Sequence, residues 1–206
     1  MPADPNESER IAEVAKSLKL RLPVVTSVTR DDLADGGASQ FAKAMFALKS
    51  KKLATEVLVP DFKGDKKAIA EVVESEPTVF AHNLETVARL YPEVRPLADF
   101  ARSLKVLKLA KRINSRMLVK SSLIIGLGET EAEILSTMEA IAETGCDVIT
   151  IGQYLKPARN CLPVSKYWHR EFFEELEEKA RQIGFKKAFC GPYVRSSYLA
   201  ETLVEL

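Results

Sequence analysis

At 206 residues, with 46% apolar and 29% charged side chains, the chain has the make-up of an ordinary globular protein with one sizeable core. Its 30 basic and 29 acidic side chains leave a formal charge of +1, which gives no electrostatic footing for nucleic acid or an anionic membrane. No apolar run reaches the ~18 residues that span a bilayer, and MPADPNESER lacks the charged-then-apolar pattern of a secretory leader, so a cytoplasmic protein is expected.

Along the chain, β-rich runs alternate with amphipathic ones. NESERIAEVAKSLKL has helical spacing and predicts an inward face of Ile11, Val14, Ala15 and Leu18. PVVTSV is a compact β-branched run, and GGASQFAKAMFALKSK returns to helical spacing through Phe41, Met45 and Leu48. TEVLVPDF predicts the next strand and DKKAIAEVVES the next helix, with Asp65 as N-cap. TVFAHNLE reads as a strand ending in polar residues, followed by LETVARLYPEV and the longer helix ADFARSLKVLKLAKRI. MLVKSSLIIGLG runs from strand to glycine turn. In TEAEILSTMEAIAETG, Thr130 and Glu133 make a capping box, Gly145 ends the helix, and Ile134, Leu135, Met138, Ile141 and Ala142 form its stripe. DVITIGQYL predicts a strand. HREFFEELEEKARQIG predicts a helix with Phe172, Phe173, Leu176, Ala180 and Ile183 inward, and FKKAFCG a last short strand. Such βα repeats imply a parallel sheet covered by helices, either a barrel missing its first strand or an open doubly wound sheet. No low-complexity linker divides the chain, so one domain over 1–206 is expected.

In these folds the chemistry sits at the carboxyl ends of the strands. Here those ends carry Thr29, Arg30, Asp31 and Asp32; Asp61; His82, Asn83 and Glu85; Gly126, Gly128 and Glu129; and Gln153 and Tyr154. One polar strand end is ordinary solvation; five together point to a ligand pocket. GLGET is only part of a dinucleotide fingerprint, so a tight turn is its first reading and close approach to an adenine or phosphate its second. Lys120, inside an apolar strand, either faces inward with a function or marks a solvated strand start. No Ser-His-Asp arrangement, HExxH or P-loop lysine is present. Cys146, Cys161 and Cys190 are odd in number and far apart, which suits neither a disulfide framework nor metal-ligand spacing.

Taken in order, VVTSVTRDDLADGGASQFA, EVLVPDFKG, FAHNLETVARLYPEVRP, KSSLIIGLGETEAEI, DVITIGQYLKP, LPVSKYWH and GFKKAFCGPYVRSSYLA, with ADP near the start, resemble the lipoyl synthases, a radical S-adenosylmethionine (SAM) family. The resemblance implies an α/β fold, a partial (β/α)6 barrel, with residues 186–206 closing over the active site. It implies insertion of two sulfur atoms into octanoyl groups carried on a lipoyl-carrier domain or the glycine cleavage H protein. The cofactors implied are SAM and two 4Fe-4S clusters. On the matching positions, Thr26, Ser27, Arg30, Asp31, Asn83, Glu85, Lys120, Ser122, Gly126 and Tyr154 would line the SAM and substrate pocket. Arg195 would hold the C-terminal segment, and Ser197 of RSSY would ligate the auxiliary cluster. A serine oxygen is a poor ligand for iron-sulfur chemistry beside thiolate, which suits a cluster that is dismantled in turnover.

This sequence departs from the family in lacking CxxxCxxC and the auxiliary cysteine set. Residues 1–20 resemble the segment just after CxxxCxxC, so a barrel lacking its first strand, inactive alone, is expected. The alternative is a non-catalytic or split-enzyme barrel module that binds SAM or a lipoyl-carrier domain without clusters of its own, with a partner chain supplying the cysteines.

Overall fold

A computed structural model describes residues 4–205. Ala3, the first residue of the ADP stretch, lies outside the described residues. The chain divides into two compact units: the described parts of Met1–Ala81, Leu109–Leu118 and Leu199–Leu206, and His82–Lys108 with Val119–Tyr198.

The first unit carries α1 (Glu7–Ser17), β1 (Val24–Thr26), α2 (Ala38–Ser50), β2 (Glu56–Leu58), α3 (Lys66–Glu74) and β3 (Val79–Ala81). The three strands run parallel, with Val25 opposite Val57 and Val57 opposite Phe80. β3 is buried along its whole length, as befits a parallel strand covered on both faces. α2 buries Phe41, Met45 and Leu48, as its spacing predicts. Its start is fastened by Asp35, whose carboxylate accepts from the Gly37 and Ser39 amides at 3.0 and 2.9 Å. Asp65 caps α3 as expected, accepting from Lys67 N at 2.8 Å.

One predicted face is corrected. α1 packs on α2 through Ala12 and Ala15, while Val14 and Leu18 stay 55% and 64% exposed. Close helix approach selects the small side chains; hydrophobicity alone had selected the large ones.

The second unit carries α4 (Tyr91–Val94), most of α5 (Phe100–Ile113) and of β4 (Leu118–Ile125), then α6 (Glu131–Ala142), β5 (Val148–Gln153), α7 (Arg170–Ile183) and β6 (Lys187–Gly191). β4, β5 and β6 are parallel and adjacent in that order. Within each unit the strands lie in chain order and run parallel.

The α6 capping box forms as read: Thr130 Oγ1 accepts from Glu133 N at 3.2 Å and Glu133 accepts from Thr130 N at 2.8 Å. Arg89 pairs with the same carboxyl and, as the largest cause, holds its pKa down at about 2. The α6 stripe is Ile134, Thr137, Met138 and Ile141, with Leu135 and Ala142 only half-buried. α7 buries Phe173, Leu176 and Ala180; Phe172 instead stacks on Trp168 at 4.0 Å. No helix among the described residues is long and apolar enough to cross a membrane.

Candidate active site

In the first unit, Thr26, Ser27 and Arg30 line a cleft of about 240 Å³ beyond β1, together with Ile11, Gln40 and Phe41. Thr26 Oγ1 donates back to Leu58 O at 3.1 Å. Arg30 forms a two-pronged pair with Asp32, Nε and Nη2 each at 2.7 Å. That hydrogen-bonded guanidinium holds the Asp32 carboxyl at about 2. Asp31 does not line the cleft; it pairs with Lys63 at 3.4 Å.

In the second unit, His82–Glu85 continues from β3 as an irregular loop laid along β4. His82 N donates to Lys120 O at 3.1 Å, Glu85 N to Ser122 O at 2.9 Å, and Ile124 N to Glu85 O at 2.7 Å. Glu85 sits at φ +67°, the left-handed region a non-glycine residue enters only when its surroundings hold it there. Arg95 supplies that hold: its Nη1 donates to the carbonyls of Asn83 and Leu84 at 3.0 and 3.1 Å. Tyr91 OH donates to Leu84 O at 2.9 Å. The loop thereby presents two acceptors. Asn83 Nδ2 donates to Glu85 Oε1 at 3.0 Å, leaving Asn83 Oδ1 buried without a hydrogen-bond partner. Burial pushes the Glu85 carboxyl pKa up, against the Asn83 hydrogen bond and the Arg95 charge. A buried acceptor left open beside a carboxyl fits a ligand that brings hydroxyl or amino donors.

The register of β4–β6 sorts the remaining side chains into two faces. Lys120 and Ser122 share one face with Val148, Thr150 and Gly152 of β5 and with Phe189 of β6. Lys120 is only 1% exposed, so it is an interior lysine and not a solvated strand start. Thr150 Oγ1 donates to Ser122 Oγ at 2.8 Å. The C-terminal segment lies on this face. A Cβ on Gly152 would stand 2.1 Å from Val194 O and 2.9 Å from Arg195 Nη1. Tyr198 meets Phe189 edge-on, with ring centroids 5.9 Å apart.

Arg195 to Tyr198 form a turn closed by Tyr198 N donating to Arg195 O at 2.9 Å, and the Arg195 guanidinium donates to Val194 O at 2.6 Å. Ser197 is exposed, and among the described residues its hydroxyl makes no hydrogen bond. The turn is closed by backbone alone, so the Ser197 side chain is not its cap.

Gly126 and Tyr154 belong to a fastening between β4, β5 and the loop after β5. The Gly126 and Leu127 amides both donate to the Glu129 carboxylate, the latter at 2.9 Å, and Trp168 Nε1 donates to the same group at 3.3 Å. Gln153 completes it, donating to Lys166 O and accepting from Trp168 N, both at 3.0 Å. With both amides taken by Glu129, the Gly126 and Leu127 N–H groups of the GLGE turn are not open to a phosphate. Tyr154 anchors the far end, its hydroxyl donating to Leu162 O at 2.9 Å.

Comparison with known proteins places this geometry. The Radical SAM superfamily model matches residues 2–152. The chain is 51% identical to the lipoyl synthase of Caldicellulosiruptor saccharolyticus, over 98% of its own length and 72% of that protein's. The chain belongs to the lipoyl synthase family. The lipoyl synthase of Caldanaerobacter subterraneus subsp. tengcongensis is 50% identical, over all of this chain and 72% of that one. Among solved structures, Streptococcus suis SuiB bound to S-adenosylmethionine shares the fold, with a TM-score of 0.72 at 14% identity, over 97% of this chain and 47% of that one.

The cysteines present do not fit the 4Fe-4S clusters that the lipoyl synthase resemblance implies. Among the described residues no group of three or more His, Cys, Asp or Glu side chains could hold a metal. Buried Cys146 donates its thiol to Val119 O and Val148 O at 3.3 and 3.4 Å. Cys190, the nearest in sequence to RSSY, lies on the strand face opposite Phe189 and Gly152; burial first, then the Glu177 charge, drives its pKa far up and away from thiolate. No chemical step is therefore assigned to a cluster held by these residues. In the native protein at pH 8, iodoacetamide is expected to label Cys161 before Cys146 and Cys190, as followed by peptide mass spectrometry. Equal rates at all three would contradict this ordering.

Sequence reading missed Arg95, Tyr91, Trp168 and Gly152 as positioning groups. Gly152 alone gave a signal: a glycine inside the β-branched run VITIGQ marks a close backbone approach.

Proposed function

We propose that this chain supplies the barrel of a SAM-dependent sulfur-inserting enzyme that converts protein-bound octanoyl groups into lipoyl groups. Residues 1–206 act as one barrel domain, and 186–206 close over the site. SAM or the octanoyl chain is contacted by Thr26, Ser27 and Arg30 of the first unit and by Asn83, Glu85, Lys120, Ser122, Gly126 and Tyr154 of the second, while Asp31 stands outside the cleft. Arg195 seats the C-terminal segment. Its substrate is an octanoylated lipoyl-carrier domain or H protein, and it works in the cytoplasm. The observation that carries this reading is Ser197: an exposed hydroxyl with no hydrogen-bond partner among the described residues, on a turn where Val194 and Arg195 are seated against Gly152. Its role is to offer an oxygen ligand to a metal group whose sulfur ligands lie outside this sequence.

The test is SAM titration of the purified chain, followed by anaerobic incubation with iron, sulfide and reductant. SAM binding without 5′-deoxyadenosine is the expected result. Stoichiometric 5′-deoxyadenosine from the chain alone would overturn its dependence on cysteines from elsewhere, and failure to bind SAM would overturn the pocket. The absence of CxxxCxxC favours a second reading, a binding module that performs no radical chemistry. Supplying the cysteine-bearing segment as a separate polypeptide separates the two, since a pure binding module stays inactive.

A further inference from the structure

The run from Leu155 to Arg170, LKPARNCLPVSKYWHR, holds four basic side chains and no acidic one, in a chain whose total charge is +1. It leaves the carboxyl end of β5, the end at which Tyr154 stands. It is not a loose loop. Ser165 N donates to Gly126 O at 2.8 Å, the Gln153 side chain bridges Lys166 O and Trp168 N, and Tyr154 OH grips Leu162 O. Lys166 is spent internally, its Nζ 3.3 Å from the Trp168 ring centroid and 3.9 Å from Glu131. Arg170 pairs with Glu174 at 2.9 Å. Lys156 and Arg159 are exposed and pair with nothing among the described residues. Beside them in sequence, Leu155 is exposed, and Tyr167 is 66% exposed on the same braced loop.

Rigid presentation lowers the entropy lost on docking, and tyrosine and arginine are the side chains that most often anchor an interface. An unneutralised cationic pair selects an anionic partner surface. We infer that this loop is the docking surface for the protein that carries the acyl chain, and that it grips an acidic face of that carrier through Lys156 and Arg159, with Tyr167 and Leu155 as apolar contacts. This rests on the proposed lipoyl synthase reading, in which the acyl chain enters at the carboxyl ends of the strands.

The test measures binding of an octanoylated, net-negative lipoyl-carrier domain to the full chain and to the double variant K156E/R159E. The control, K105E/K108E, makes the same charge change at two exposed lysines of α5. The loop variant is expected to bind roughly tenfold more weakly and to lose most of the salt dependence, whereas the α5 variant binds like the parent. All three should unfold at the same temperature. Equal binding by the parent and the loop variant would overturn the docking surface and leave the enzyme assignment standing. Weakening by the α5 variant to the same degree would reduce the effect to net charge and also overturn it. No binding by the parent chain would overturn both.

Discussion

Gly152→Ala is expected to lift the C-terminal segment off the sheet. The added methyl would sit 2.1 Å from Val194 O, a backbone atom that cannot swing aside as a side-chain tip can. It would also crowd the Arg195 guanidinium that donates to Val194 O and, at 3.4 Å, to Pro192 O. Overpacking of this kind costs about 1–3 kcal/mol where the strand must yield. Here the segment is the softer partner, since the Arg195–Tyr198 turn is closed by one backbone hydrogen bond. The expected result is a modest fall in the denaturation midpoint with a large local effect: faster trypsin cleavage after Arg195 and lost amide protection at Val194 and Tyr198. Unchanged cleavage would show that the segment is seated by something other than the empty space at Gly152.

The second large effect is expected at Glu129. Its carboxylate is 7% exposed and accepts from Gly126 N, Leu127 N and Trp168 Nε1, so Glu129→Ala strands three donors at once. Each buried group left unsatisfied costs about 1–3 kcal/mol, which puts the total loss at about 3 kcal/mol or more. Urea unfolding should show it as a lower midpoint at an unchanged slope. Glu129→Gln keeps the volume but sets an amide donor against the same three donors, so it should recover only part of the loss. Full recovery by glutamine would mean that shape, and not the acceptor pair, holds this turn. Trp168 fluorescence gives an independent readout, because its ring nitrogen loses a partner and its indole stacks on Phe172.

How much of this was readable beforehand divides along the range of the interactions. The α6 capping box and the Asp65 cap lie within three residues of the groups they bond, so the spacing specifies them. The α2 core stripe was equally plain, because three large apolar residues recur at helical period. The face of α1 was misread because the deciding contact is with α2, where Ala12 and Ala15 permit an approach that Val14 and Leu18 would block. Within the site, Asn83, Glu85, Gln153 and Tyr154 were visible as polar strand ends, yet their division of labour was not. Gln153 braces a loop, while Asn83 keeps an open acceptor. That difference depends on Trp168 and Lys166, fifteen and thirteen positions away, and on Arg95, twelve positions beyond Asn83. Nothing in local spacing announces such partners.

The pairing of β6 with β5 carries one more consequence. Thr150 stands opposite Phe189, and Ile151 opposite Cys190, so alternation turns an aromatic ring toward Tyr198 and a thiol toward α7. Sliding β6 by a single residue would exchange them, placing a sulfur nucleophile seven positions before Ser197 on the side where the C-terminal segment lies. The hydrogen-bond ladder therefore acts as chemical quarantine. It keeps the thiol on the α7 side of the sheet, away from the C-terminal segment, without removing cysteine from the strand.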